Sequence, residues 1–268
     1  MASAACMQLP PVTATGYTPQ GRYEDVAGIH TYVVGPENPT RVIVLVYDIF
    51  GMAPQTLQGA DRLSAHLTAA APAPSVGGTL VLVPDFFGGA ENAAQAAWFP
   101  PDDDDAKKAA IQKFMSERAN FPVVVRQLLD VRRVIGEKYP AADEHVGVFG
   151  LCFGGKIAVL ACGADNEGSG SGRRFVVSGT AHPGRLDVAD AEALTSPHIC
   201  LASPGEPADV VAQIKEVLEM KKGMGVVETY ESMFHGWMGA RANLEDENNR
   251  GEFERGYKQV AEFFAKYL

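Results

Sequence analysis

The chemistry in this chain centres on one cysteine. Cys152 stands in Gly150-Leu151-Cys152-Phe153-Gly154, with a glycine two residues to each side. The apolar run Val146 to Phe149 precedes it as a strand, and Gly154 to Cys162 opens as a helix. A strand that reverses sharply into a helix, with small residues around the reversal, lifts the central side chain above the sheet. The positive end of the following helix then favours a thiolate and a developing oxyanion. An ordinary thiol titrates near 8.5, so only about a few per cent is ionised at neutral pH. Such a cysteine needs a base. The competing reading is a small buried hydrophobe in a packing turn, and that reading holds for Cys6, Cys162 and Cys200.

Nucleophile, acid and histidine follow one another along the chain in turns of this kind. After Cys152 come His182, His198 and His235. His235, in Phe234-His235-Gly236-Trp237, lies after the last expected strand and before the terminal helix, where the base belongs. His198 opens a strand and is expected to be structural. His182, in Ala181-His182-Pro183, also follows a strand and is a candidate pocket residue. The acid should lie just past the strand Ile199 to Ala202, where Glu206 and Asp209 are both available. Asp209 also suits a helix N-cap. An oxyanion hole needs two backbone amides. Phe153 supplies one, and Ile49, in Asp48-Ile49-Phe50-Gly51 after the strand Arg41 to Tyr47, supplies the other.

The elements that must position these groups alternate in type. Strands are expected at Ile29 to Val34, Arg41 to Tyr47, Leu80 to Val83, Val146 to Phe149, Phe175 to Gly179, Ile199 to Ala202 and Val226 to Tyr230. Helical stripes run over Gln55 to Ala70, Ala106 to Ala119, Val123 to Lys138, Val210 to Lys221 and Arg250 to Tyr267. Pro122 reads as a break, Pro72 and Pro74 as another, and Asp102 to Asp105 as a solvated helix start. This alternation implies an α/β fold with a mostly parallel sheet covered on both faces. Met1 to Gln20 reads as an irregular arm, and residues 21–268 as one domain. The Gly/Ser-rich stretch Ala164 to Arg173 is a surface loop too short to separate two domains.

Composition narrows the partners. The chain has 268 residues, with 23 Lys+Arg against 33 Asp+Glu and no basic run. Nucleic acid and anionic membrane are therefore excluded as expected partners. The four cysteines form no C-x-x-C pair and no zinc spacing, so neither metal nor cofactor is expected. No secretory or transit pattern precedes the fold, and no apolar stretch approaches the ~20 residues that span a bilayer. A cytoplasmic protein, monomeric or weakly dimeric, is the expectation.

Five ordered stretches carry a resemblance. Asp48-Ile49-Phe50-Gly51, Pro84-Asp85-Phe86-Phe87-Gly88, Gly150-Leu151-Cys152-Phe153-Gly154-Gly155-Lys156, His182-Pro183 and His235-Gly236-Trp237 resemble the dienelactone hydrolase family, most closely its eukaryotic branch. The resemblance spans roughly Gly28 to Leu268. It implies a three-layer α/β-hydrolase fold and a cysteine triad cleaving a small ester or lactone, with Cys152 and His235 matching directly. The family's acid is an aspartate nine residues after a proline; counting from Pro197 gives Glu206, so the acid stays open between Glu206 and Asp209. Asp48 matches an acid that controls the thiol's proton. Bacterial members hold a substrate carboxylate with two arginines. Arg241 corresponds to one, while Phe86-Phe87-Gly88-Gly89 lacks the other. Trp237 and His182 join Arg241 as expected substrate contacts, and the native substrate is expected to be less charged than dienelactone. The rival readings are a non-catalytic small-molecule-binding or regulatory protein on the same fold, and a thiol redox sensor.

Overall fold

The β-branched runs pair into a single eight-stranded sheet in the computed structural model, which describes residues 7–14, 16–69, 77–166, 173–221 and 224–268. Cys6, Pro72, Pro74 and residues 167–172 of the Gly/Ser-rich loop lie outside the described residues. The strands are β1 (Arg22–Val26), β2 (Ile29–Val34), β3 (Arg41–Val46), β4 (Thr79–Pro84), β5 (Val146–Leu151), β6 (Val177–Ala181), β7 (His198–Ala202) and β8 (Gly225–Thr229). Their order is β1-β2-β4-β3-β5-β6-β7-β8. β1 and β2 pair antiparallel, as do β2 and β4. All other pairs are parallel. Every residue of β3, β4 and β5 is buried, as strands covered on both faces require.

Among the described residues the α-helices are α1 (Pro54–Ala69), α2 (Asp105–Glu117), α3 (Phe121–Lys138), α4 (Phe153–Ala161), α5 (Val188–Ala193), α6 (Ala208–Met220) and α7 (Glu247–Phe264). Alternation along β5 shows how the layers form. Phe149 meets Tyr257 and Phe264 of α7, while a Cβ at the next residue, Gly150, would strike the backbone of α4. Adjacent strand residues point to opposite faces, so α7 and α4 cover opposite sides of the sheet. The architecture is the expected three-layer α/β arrangement.

Three elements differ from expectation. β1 carries Arg22, Glu24 and Asp25 on an edge that faces water, so no apolar period marks it. α5 is a short helix capped by Asp187, which accepts from the Ala189 amide. Pro122 starts α3 rather than breaking it: it sits in the first turn, behind an Asn120 cap, where the missing N–H is not needed. The acidic run behaves as expected, with Asp104 accepting from the amides of Ala106 and Lys107 at the start of α2.

The described part of the arm is tied to the loops above the sheet. Val12 N donates to Ala240 O (2.9 Å), Arg241 Nε to Leu9 O (2.7 Å), and Gln55 Nε2 to Val12 O (2.9 Å). Among the described residues no helix is long and apolar enough to cross a membrane.

Candidate active site

β5 delivers Cys152 into a reversal that ordinary residues avoid. Its φ is 50° and its ψ is −107°, a left-handed conformation that costs a non-glycine residue on the order of 1–3 kcal/mol. The surroundings hold it there. Cys152 N donates to Ala181 O (3.1 Å), and Gly155 N and Gly184 N donate to Cys152 O (3.0 and 3.1 Å). A Cβ at Gly154 would strike the Val46 carbonyl, and one at Gly150 the backbone of Gly154. The two glycines thus let α4 start hard against β3 and β5.

The loop after β8 brings His235 over the sulfur. Its Nε2 lies 3.1 Å from Cys152 Sγ, and its Nδ1 lies 2.6 Å from Glu206 Oε1. All three residues are buried. Glu206 is set by its own turn: its Oε2 accepts from Ser203 N and from Ser203 Oγ (2.9 Å). Asp209 is exposed in the first turn of α6, whose N-cap is Pro207. It therefore neither faces His235 nor caps the helix. Ser203 was not anticipated, although a serine three residues before a carboxylate is a local pairing pattern that could have flagged it.

The two expected oxyanion amides follow the ends of neighbouring strands. Phe153 opens α4 directly after Cys152, and Ile49 lies in the loop after β3, the strand beside β5. Within the described residues neither amide donates a hydrogen bond. The same loop carries Asp48. Its Oδ1 accepts from Phe50 N and its Oδ2 from Ala240 N (2.9 Å each). Burial pushes the Asp48 carboxyl up, against those two amides and the nearby Arg241 and His235. Asp48 thereby ties the β3 loop to the histidine loop.

The remaining candidates separate. The Arg241 side chain is buried, with its guanidinium carbon 5.2 Å from the Phe50 ring centre and 5.9 Å from that of Phe99. Its Nε is engaged by the arm carbonyl of Leu9. His182 is buried with its ring edge-on to His235 at 5.3 Å. Trp237 requires a correction. Its ring is wholly buried, stacked on Tyr230 at 4.4 Å and packed over Gly256 of α7, so it is a packing residue rather than a substrate contact. His198 is structural as expected, with Nδ1 bonded to Ser178 Oγ (2.8 Å). Burial lowers its imidazole to about 3.

Where the second arginine was missing, the loop after β4 supplies buried aromatic rings. Phe87 packs 5.7 Å from Phe153 and 5.2 Å from Phe114, and Phe121 lies 5.2 Å from Phe153. A further cation appears from another direction. Arg185, exposed, sets its guanidinium 5.1 Å from the Phe121 ring. Its sequence signal was only its place two residues past His182-Pro183. Among the described residues no group of three or more His, Cys, Asp or Glu is placed to hold a metal ion.

Comparison with known proteins finds a family match for the sequence. A model described as the dienelactone hydrolase family matches residues 29–268. Two uncharacterized AIM2 family proteins of Schizosaccharomyces pombe are 31% and 30% identical over 258 residues, covering 94% of this chain and 94% and 93% of theirs. Among solved structures, a dienelactone hydrolase from Anabaena variabilis superposes with a TM-score of 0.61 at 14% identity, covering 93% of this chain and 99% of that one. A dienelactone hydrolase-like promiscuous phosphotriesterase from metagenomic libraries gives 0.61 at 18% identity, covering 92% and 98%. At these identities the two structures speak to the fold alone.

Proposed function

We propose that this chain, which belongs to the dienelactone hydrolase family, hydrolyses a small carboxylic ester or lactone through a thioester on Cys152. The observation that carries the reading is the line Glu206–His235–Cys152, with contacts of 2.6 and 3.1 Å. A carboxylate on Nδ1 fixes the tautomer and favours the imidazolium that forms when Nε2 takes the thiol proton.

The sulfur attacks the carbonyl carbon of the substrate. The amides of Ile49 and Phe153 hold the oxyanion, a preorganised pair in a water-poor site. His235 passes its proton to the leaving oxygen, and the acyl group stays on Cys152. Water then attacks the thioester, with His235 taking its proton, and the acid departs. No step calls for a metal or an organic cofactor. Asp48 controls the thiol's proton indirectly, through its hold on the two loops around the sulfur. His182 borders the reacting centre.

The surroundings favour a substrate of low charge. Phe87 and Phe121 pack apolar rings against Phe153, the residue after Cys152, and Arg241 is engaged by the arm. A compact ester or lactone of low charge fits this better than a dianion held by two arginines. Replacing Cys152 by alanine tests the reading. Hydrolysis of p-nitrophenyl acetate should fall by at least about a thousandfold, as losing a nucleophile does. A C152A protein as fast as wild type would sink it.

A further inference from the structure

The steps above leave the His182 ring without a defined task. The side chain is fully buried, and neither ring nitrogen hydrogen-bonds to another residue among those described. Burial pushes its imidazole well below the ordinary histidine range, and His235 and Arg241 act in the same direction. The ring is therefore neutral near pH 7. A neutral imidazole carries one N–H donor and one bare acceptor nitrogen. Each such group left unmade in an interior costs about 1–3 kcal/mol. The backbone is also held away from its preference, with φ at 37°.

The placement explains why such a ring is kept. The segment bearing it clasps the nucleophile: Ala181 O accepts from Cys152 N and Gly184 N donates to Cys152 O. The ring stands edge-on to the general base, 5.3 Å between centres. A Cβ at Gly239 would lie 3.6 Å from His182 Cε1 and would also run into Asp48 Oδ2. Glycine there lets the buried Asp48 carboxylate and the edge of the His182 ring come close to the backbone of the histidine loop. Two unmade ring nitrogens beside the His235 ring match the polar partners that a buried water needs.

We propose that His182 holds the water that releases the acyl group from Cys152, a role that rests on the thiol-hydrolase reading above. The water oxygen forms a bond to the thioester carbon while one of its protons passes to His235 Nε2. Its other proton is held by the acceptor nitrogen of His182. The C–S bond breaks with its electron pair on sulfur, the product leaves as a carboxylic acid, and the proton on His235 returns to the thiolate. One thioester and one water give one acid and one thiol.

Rapid mixing of the full chain with p-nitrophenyl acetate separates the two halves. The burst of nitrophenolate reports acylation, and the steady state reports release. H182F should keep its burst within about threefold of wild type while the steady state falls by about tenfold or more, the scale of losing a positioned reactant. S-acetyl Cys152 should accumulate, and a cooperative melt should show that the variant is folded. H182N and H182Q each restore a donor and an acceptor, and at least one should recover the steady state. If H182F does not fold, H182L carries the same ratio. Burst and steady state slowing by one factor, or a ratio unchanged, overturns the proposal. A wild type with no burst and no acyl-Cys152 overturns this role and the thiol-hydrolase reading together; a normal wild-type burst with an unchanged ratio in H182F overturns this role alone.

Discussion

Glu206 Oε1 meets His235 Nδ1 at 2.6 Å, with both side chains almost wholly buried. A buried carboxylate on the imidazole orients the ring and stabilises its charged form, and its loss in comparable relays costs about ten-thousandfold in kcat. E206Q should therefore lose about a hundredfold to ten-thousandfold in kcat on p-nitrophenyl acetate. D209N, at an exposed position of α6, should stay within about twofold, as surface changes do. The reverse ranking of the two variants would move the acid to Asp209.

The cysteines should separate by reactivity. Cys162 and Cys200 are buried, and burial pushes both thiols up to about 12. Among the described residues no histidine hydrogen-bonds to either, whereas His235 Nε2 lies 3.1 Å from Cys152 Sγ. Thiolates, not thiols, are alkylated. Brief iodoacetamide treatment at neutral pH followed by peptide mapping should modify Cys152 well before Cys162 and Cys200. Equal labelling of the three would contradict the paired thiol.

The elbow has a steric prediction. At Gly154 an added methyl meets the backbone carbonyls of Val46 and Tyr47, which cannot swing away as a side chain can. G154A should lose about 1–3 kcal/mol or more, as overpacked interiors do. At Gly251 of α7 the same methyl meets nothing within 4 Å, so G251A should gain up to about 1 kcal/mol from helix propensity. Thermal melts of the two variants check the contrast, and a stable G154A would refute the close approach of α4 to β3.

Acid should destabilise the fold through buried histidine. His198 is held to about 3 by burial, whereas a histidine in the unfolded chain titrates near 6.5. The folded value is depressed, so below about pH 6.5 the unfolded chain binds a proton that the native state refuses. Stability present above that pH is lost as pH falls toward 3, by about 1.4 kcal/mol per pH unit for this one group. His182, also lowered by burial, acts with the same sign. Asp48, raised by burial, acts with the opposite sign, so wild type must be compared with H198L to isolate His198. Urea unfolding from about pH 7 to pH 4 should show a shallower acid limb in H198L by about one proton. Parallel limbs would contradict the buried neutral ring.

Much of the candidate site's geometry was legible because its signals are local. Gly150 and Gly154 mark a turn that only small residues permit, and the position of His235 after the last strand follows from chain order. The choice between Glu206 and Asp209 was not legible. Both follow the same strand, and the choice depends on a turn set by Ser203, whose N–H and hydroxyl hold the Glu206 carboxylate. Trp237 misled because sequence adjacency to His235 says nothing of direction; the ring turns to Tyr230 and α7 instead. Arg185 went unnoticed because its link to Phe153 runs through Phe121, distant in sequence. Of the elements, β3 and β5 declared themselves by burial on both faces. β1 did not, since an exposed edge strand keeps charged residues and carries no apolar signal.

The most direct test of the thioester is peptide-mass measurement during turnover. Wild-type protein mixed with p-nitrophenyl acetate, quenched in acid within the first turnover and digested, should carry one acetyl group on the peptide containing Cys152. That group should disappear as substrate is exhausted, and C152A should carry none there. Steady hydrolysis by the wild type with Cys152 unmodified at every quench time would contradict the account.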